Sequence, residues 1–290
     1  METVPGQLDR FGDRLRARRA RLSARMRLVA DFIDQNRALA VSLSAIELAK
    51  EIGVSDATVI RTVQALGFEG LVELKATLAS AMGERDIISI KMAATLGGVQ
   101  QDAEHAMDYV IQEHRHALDH LDLPENRRAV ARAVAVLGQA QRIAVFGIGA
   151  SGLLADYAVR LFARNGKPAY ALNRTGIALA EQLLEMAPGD ALIVMVQQNI
   201  HREVAVTLQE AARLDVPVIV VTGQRRRALS SQCDEVIIVP RASAGDAPLH
   251  GPTLACLEML MLGVAALTAE SSLDSMARLV SLRKALRGGK

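Results

Sequence analysis

Residues 43–68, LSAIELAKEIGVSDATVIRTVQALGF, decide how this chain is read. Ser44 and Glu47 form an S-x-x-E capping box, in which each side chain satisfies a backbone N–H of the other residue and a helix begins. Ile46, Leu48, Ala49 and Ile52 supply the buried side of that helix. Gly53 permits a tight turn, Ser55 is an N-cap for a second helix, and Gly67 stops it. Two short helices flanking residues 53–54 have the spacing of a helix-turn-helix, with Leu48, Ile52, Val54, Val59, Val63 and Leu66 packing them together. In that motif the second helix lies in the major groove of double-stranded DNA, its N-terminal residues at the base edges. A plain helical hairpin within an all-α subdomain fits the same pattern.

The outward side of the second helix is expected to carry Asp56, Thr58, Arg61 and Thr62. Arg61 can pair with a guanine or a phosphate. Ser55 can donate to a phosphate beside the free N–H groups of the helix start. The longer stretch VSDATVIRTVQALGFEGLVELK, residues 54–75, resembles the signature of the RpiR family of bacterial regulators. The matching positions are Ser55, Thr58, Arg61, Leu66, Gly67, Phe68, Gly70, Leu74 and Lys75, and LSAIELAKEIGV matches the preceding helix. The resemblance implies DNA binding as a homodimer or homotetramer, near genes of sugar catabolism, with Lys75 and N-terminal arginines on phosphates.

The rest of the composition is compatible with this. A length of 290 residues favours two domains, and a hydrophobic content of 50% allows a sizeable core. Aromatics make up only 3% and Trp is absent, so that core is aliphatic. The net charge of +2 does not imply nucleic acid. The run Arg10, Arg14, Arg16, Arg18, Arg19, Arg21, Arg25 and Arg27 is more informative: it is either a phosphate-contacting segment or a solvated helix face. Cys233 and Cys256 have no metal-ligand or disulfide-framework spacing. There is no signal-type N-terminus, and the longest apolar stretch, residues 254–269, is short for a membrane span and contains Glu258. The expectation is a cytoplasmic protein with no membrane partner and no cofactor.

We expect an all-α helix-turn-helix domain over 1–85, a helical connector over 86–126, and an α/β domain with a parallel sheet flanked by helices over 127–290. Strands are expected at 143–146, 169–172, 191–196, 216–221 and 235–239, alternating with helices. The segment RIAVFGIGASGLLA, residues 142–155, reads as strand, glycine-rich turn and helix start, a place where backbone N–H groups favour an anion. Gly147, Gly149 and Gly152 also satisfy the dinucleotide pattern G-x-G-x-x-G. Asn173 and Arg174 stand where a nicotinamide site wants an acidic residue, which leaves an NADP-binding domain as a minor alternative.

Residues 128–270 resemble the sugar isomerase (SIS) domain, through the loop containing Ser151, APGDALIVM, DVPVIVVTG, CDEVIIVP and the final apolar helix. That resemblance implies a phosphosugar or related effector near Gly147, Gly149, Ala150, Ser151, Gln198 and Asn199. Two departures stand out. The family's Ser-x-Ser-Gly phosphate loop after the third strand is replaced by residues 196–203, VQQNIHRE, and its Ser-Pro-Leu-Ala stretch after the fourth by GQRRRAL, residues 223–229. Gln198 and Asn199 can still hydrogen-bond, and His201, Arg202 or the three arginines can supply charge.

Glu181, His201, His250 and Glu258 are acid–base candidates for an alternative, a phosphosugar isomerase with an appended DNA-binding domain. His114, His116 and His120 contain a pair four apart that suits a metal or simply a solvated helix, and Met259 and Met261 read as core or dimer contacts.

Overall fold

The computed structural model describes residues 9–81, 91–92, 95–96, 99, 102–197, 201–224, 229, 231–241 and 247–287. The chain divides into two compact units: residues 1–109 with 242–248, and residues 110–241 with 249–290.

The first unit is helical. Its elements are α1 (Arg10–Arg18), α2 (Ala24–Gln35), α3 (Arg37–Ser42), α4 (Ala45–Ile52), α5 (Asp56–Ala65) and α6 (Leu71–Ala81). The capping box forms as the sequence implies: Ser44 Oγ accepts from Glu47 N, and Glu47 Oε2 accepts from Ser44 N. Gly53 closes α4 in the left-handed region at φ 74°, which a residue with a Cβ reaches only at a cost. Leu48, Val59, Val63 and Leu66 are buried, with Ile52 and Val54 packed against them, Phe11, Leu15 and Phe68 from α1 and the α5–α6 loop, and Leu74 and Leu78 of α6. Ile46 departs from its expected buried place and is 71% exposed. The physical reason is angular: it lies two residues, about 200°, from Leu48, on the opposite side of a 3.6-residue turn.

The second unit is a three-layer α/β fold. α7 (Ala103–Asp122) runs across the division between the units, and is followed by α8 (Pro124–Gln139), β1 (Arg142–Phe146), α9 (Ala150–Arg164), β2 (Ala169–Leu172), α10 (Ile177–Leu183) and β3 (Asp190–Met195). Then come α11 (Arg202–Arg213), β4 (Val218–Thr222), β5 (Glu235–Ile238), α12 (Gly251–Leu267) and α13 (Ala269–Arg287). The five strands are all parallel, in the order β2-β1-β3-β4-β5. Both sheet faces are covered, which is why the central strands β3 and β4 read as apolar runs rich in Val and Ile instead of alternating. Ile143, Val145 and Ile193 face α8, α9 and α12; Ala144, Phe146 and Val194 face α10 and α11. Among the described residues no single helix is long and apolar enough to cross a membrane.

Asn126 ties α8 to the sheet. Its buried side-chain amide donates to the carbonyls of His120 and Ile238, at 2.6 and 2.9 Å, and its oxygen accepts from Ile238 N at 2.9 Å. Asn126→Ala strands these backbone groups together and should cost about 2–3 kcal/mol, read as a lowered midpoint in urea unfolding.

Candidate functional sites

The first candidate is the exposed side of α5. Ser55 caps the helix, accepting from Thr58 N and sharing a hydrogen bond of 2.9 Å with the Thr58 hydroxyl. Asp56, Ala57, Arg61, Gln64 and Ala65 are exposed, and Thr58 is half-buried. Arg61 folds back, its Nε donating to the Ala57 carbonyl. Thr62 corrects the expectation of an outward row. It is fully buried and its hydroxyl donates to the Thr58 carbonyl, because position 62 lies beside Val59 and Val63 on the packed face. Ala57 and Gln64 are the exposed residues that the motif match passed over; the spacing from Arg61, four back and three on, was the signal available.

Lys75 is half-buried on α6, and burial lowers its ammonium below the usual lysine range against the opposing pull of Glu47. The arginine run divides. Arg14 stacks over the Phe68 ring and donates to the Gly67 carbonyl and Glu73, Arg18 donates to the Ala65 carbonyl, and Arg16 and Arg19 pair with Asp13 and Asp31. Arg14 and Arg18 thereby brace the end of α5 and the loop after it. Arg10, Arg21, Arg25 and Arg27 are exposed.

The second candidate lies at the carboxyl ends of the strands. The strand order reverses between β1 and β3, and an open parallel sheet leaves its ligand crevice at such a switch point. The turn after β1 is one wall. Gly147 is buried; a Cβ there would stand 2.4 Å from the Ser151 carbonyl oxygen and 2.9 Å from Met195 Cε. Gly149 has φ 61° and faces open space, so its backbone is accessible where α9 begins. Ala150 is exposed and Ser151 is 7% exposed. The turn therefore brings Gly147, Gly149, Ala150 and Ser151 together. Gln198 and Asn199, and the arginines at 225–227, lie outside the described residues. Beside them Gln197 is half-buried, with its amide nitrogen buried and unpartnered.

Arg241 enters this wall from the segment after β5, its Nη2 donating to Ser151 Oγ at 2.8 Å. Burial pushes its guanidinium down to about 10. Sequence reading missed it, because a single arginine 90 positions from its partner carries no local signal. His250 precedes α12, and burial first, then the charge of Arg241, holds its imidazole below the usual histidine range. The other acid–base candidates do not gather: Glu181 is exposed on α10 and Glu258, accepting from Tyr157, on α12, with these helices on opposite faces of the sheet. His201 is exposed at the start of α11. Among the described residues no group of three His, Cys, Asp or Glu side chains could hold a metal. Met261 is core, whereas Met259 is exposed.

A helix-turn-helix domain and a parallel α/β domain with a glycine turn at its switch point are the two parts of a regulator of transcription. Comparison with known proteins is specific: residues 11–85 match the helix-turn-helix domain of the rpiR family and residues 136–269 match the SIS domain, and the chain belongs to the rpiR family of transcriptional regulators with a SIS domain. It is 27% identical over 225 residues to the HTH-type transcriptional regulator YfhH of Escherichia coli (strain K12), across 77% of this chain and 79% of that one. Among solved structures it is similar to the Vibrio vulnificus NanR protein complexed with ManNAc-6P, with a TM-score of 0.57 and 23% identity, covering 95% of this chain and 98% of that one. It is also similar to c3406 of E. coli CFT073 in complex with A5P, with a TM-score of 0.50 and 22% identity, covering 58% and 93%.

Proposed function

We propose that this protein is a ligand-controlled, DNA-binding regulator and not an enzyme, whose SIS domain senses a small anionic metabolite, a sugar phosphate or sugar acid. The observation that carries the DNA reading is the exposed row Asp56, Ala57, Arg61 and Gln64 on a helix whose other face is locked into the core. In a major groove Arg61 reads a guanine edge, Gln64 an adenine, and Ala57 contacts a thymine methyl. Ser55 and Thr58 meet phosphate at the helix start, and Lys75 with the exposed arginines supplies sequence-independent attraction. Thr62 serves packing.

The effector reading rests on the crevice. Gly147, Gly149, Ala150 and Ser151 form one wall, and Gln198 and Asn199, which follow β3 in the sequence, are the ligand partners proposed to face it. Two proteins of this fold have been solved with the phosphorylated sugars ManNAc-6P and A5P. Binding would change the spacing of two DNA-reading units in a homodimer or homotetramer, and with it the affinity for a palindromic operator. The separation of Glu181 and Glu258 onto opposite sheet faces disfavours isomerase chemistry, which needs its acid and base at one carbon.

The test uses duplexes selected from a random pool by the full-length protein. Arg61→Ala should weaken specific binding by about 1–3 kcal/mol and relax preference at one base position. Unchanged affinity and preference in fluorescence anisotropy would remove Arg61 from the interface.

A further inference from the structure

Four arginines show how this chain uses a guanidinium. Arg19, Arg132, Arg142 and Arg213 each present the Nε–Nη2 edge to one carboxylate: Asp31, Glu235, Asp190 and Glu210. Arg241 presents the same edge differently. Its Nη2 donates to Ser151 Oγ, while its Nε is buried and has no partner. Among the described residues no carboxylate pairs with it.

That orphan is not isolated. His250 Nδ1 and Thr253 Oγ1 are also buried without partners, and Thr253 is 0% exposed. They stand three residues apart, on one side of the first turn of α12. The ring of His114 lies 2.7 Å from where a Cβ on Gly251 would be, and its Nε2 is a fourth buried orphan. Leu249 N donates to the Arg241 carbonyl at 2.9 Å, which fixes the arginine next to this turn. Buried polar atoms in folded proteins are nearly all hydrogen-bonded. The guanidinium and the three side chains together hold four buried polar atoms without a partner on adjoining segments, groups that a polar molecule admitted here could satisfy.

We propose that Arg241 is the anion anchor of the crevice, gripping a phosphate or carboxylate on its Nε–Nη2 edge against Ser151, with His250, Thr253 and His114 meeting the hydroxyl groups of the same small metabolite. This rests on the effector reading given above and narrows it. Anion recognition passes from a hydroxyl-rich loop after β3 to a guanidinium arriving from beyond β5. One cation among hydroxyl and imidazole groups suits a ligand with a single oxyanion on a polyhydroxylated body. The planar two-donor edge suits two oxygens of one head group.

The experiment is a thermal melt and calorimetric titration of the full chain with D-glucose 6-phosphate, D-gluconate and D-glucose. One of the two anions should raise the melting temperature and neutral glucose should not; which anion acts tells phosphate from carboxylate. R241Q should bind that anion at least about ten-fold more weakly. Unliganded R241Q should melt no lower than the wild type, because it removes a buried charge that nothing pairs. A purely structural arginine would show the opposite, a lower melting temperature with affinity kept. Should R241Q fail to fold, R241K retains the charge without the two-donor edge and should still lose most of the affinity. Equal affinity in wild type and variant overturns the role of Arg241 and leaves anion sensing in place. No response of the wild type to either anion overturns both.

Discussion

Arg142→Met is expected to remove about 3–5 kcal/mol of stability, a large share of the total for a domain of this size. Asp190 begins β3 with only 2% of its side chain exposed, and Arg142 begins the neighbouring β1 with 39% exposed. The guanidinium holds both carboxylate oxygens, at 2.9 and 2.8 Å, stacks over the Tyr170 ring and donates to the Glu185 carbonyl. Tyr170 adds a hydrogen bond of 2.7 Å to the same carboxylate; burial first, and then this bond, raises its phenol above the ordinary range. The asymmetry of exposure predicts an order of effects. Losing the arginine leaves a charge in the core, whereas Asp190→Asn leaves a cation that can turn to water and should cost less. Urea unfolding followed by circular dichroism checks both, and an equal loss would show that the pair acts through packing alone.

Gly147→Ala should be nearly as damaging, at about 2–3 kcal/mol, and should also abolish the response to the effector. The added carbon would lie 2.4 Å from the Ser151 carbonyl oxygen and 2.6 Å from its carbon, both backbone atoms of the first turn of α9. That turn must move, and Ser151 with it, away from Arg241. Gly149→Ala meets no atom and is strained only through its φ of 61°, so it should fold better. Melting curves with and without an anionic sugar separate the two. A Gly147→Ala protein that melts and responds like the wild type would show that the strand-to-helix turn is not rigid.

Elements and cap positions are local matters, and that is why they could be read in advance. Ser44 and Glu47 meet across one helical turn, and Ser55 caps the next helix, with nothing from outside those turns. The central strands β3 and β4 were visible as runs rich in Val and Ile because both faces of the sheet are covered there. α3 and α13 escaped notice, and α1 was read only as one alternative for the arginine-rich stretch: α3 has six residues, and α13 buries only Ser272 among the residues placed in the core.

Composition and short-range pattern thus sufficed for the two-part architecture, the helix-turn-helix, the glycine turn after β1 and the loss of the serine loop after β3. Which residues face which way needed the packed chain. Ile46 and Thr62 exchanged their expected faces because a helix turns 100° per residue and the stripe is set by what packs against it. The meeting of Arg241 with Ser151, and of His114 with the start of α12, joins segments more than 80 residues apart in sequence. Such contacts exist only once the parallel sheet has brought the ends of its strands to one edge, so no window of sequence contains them.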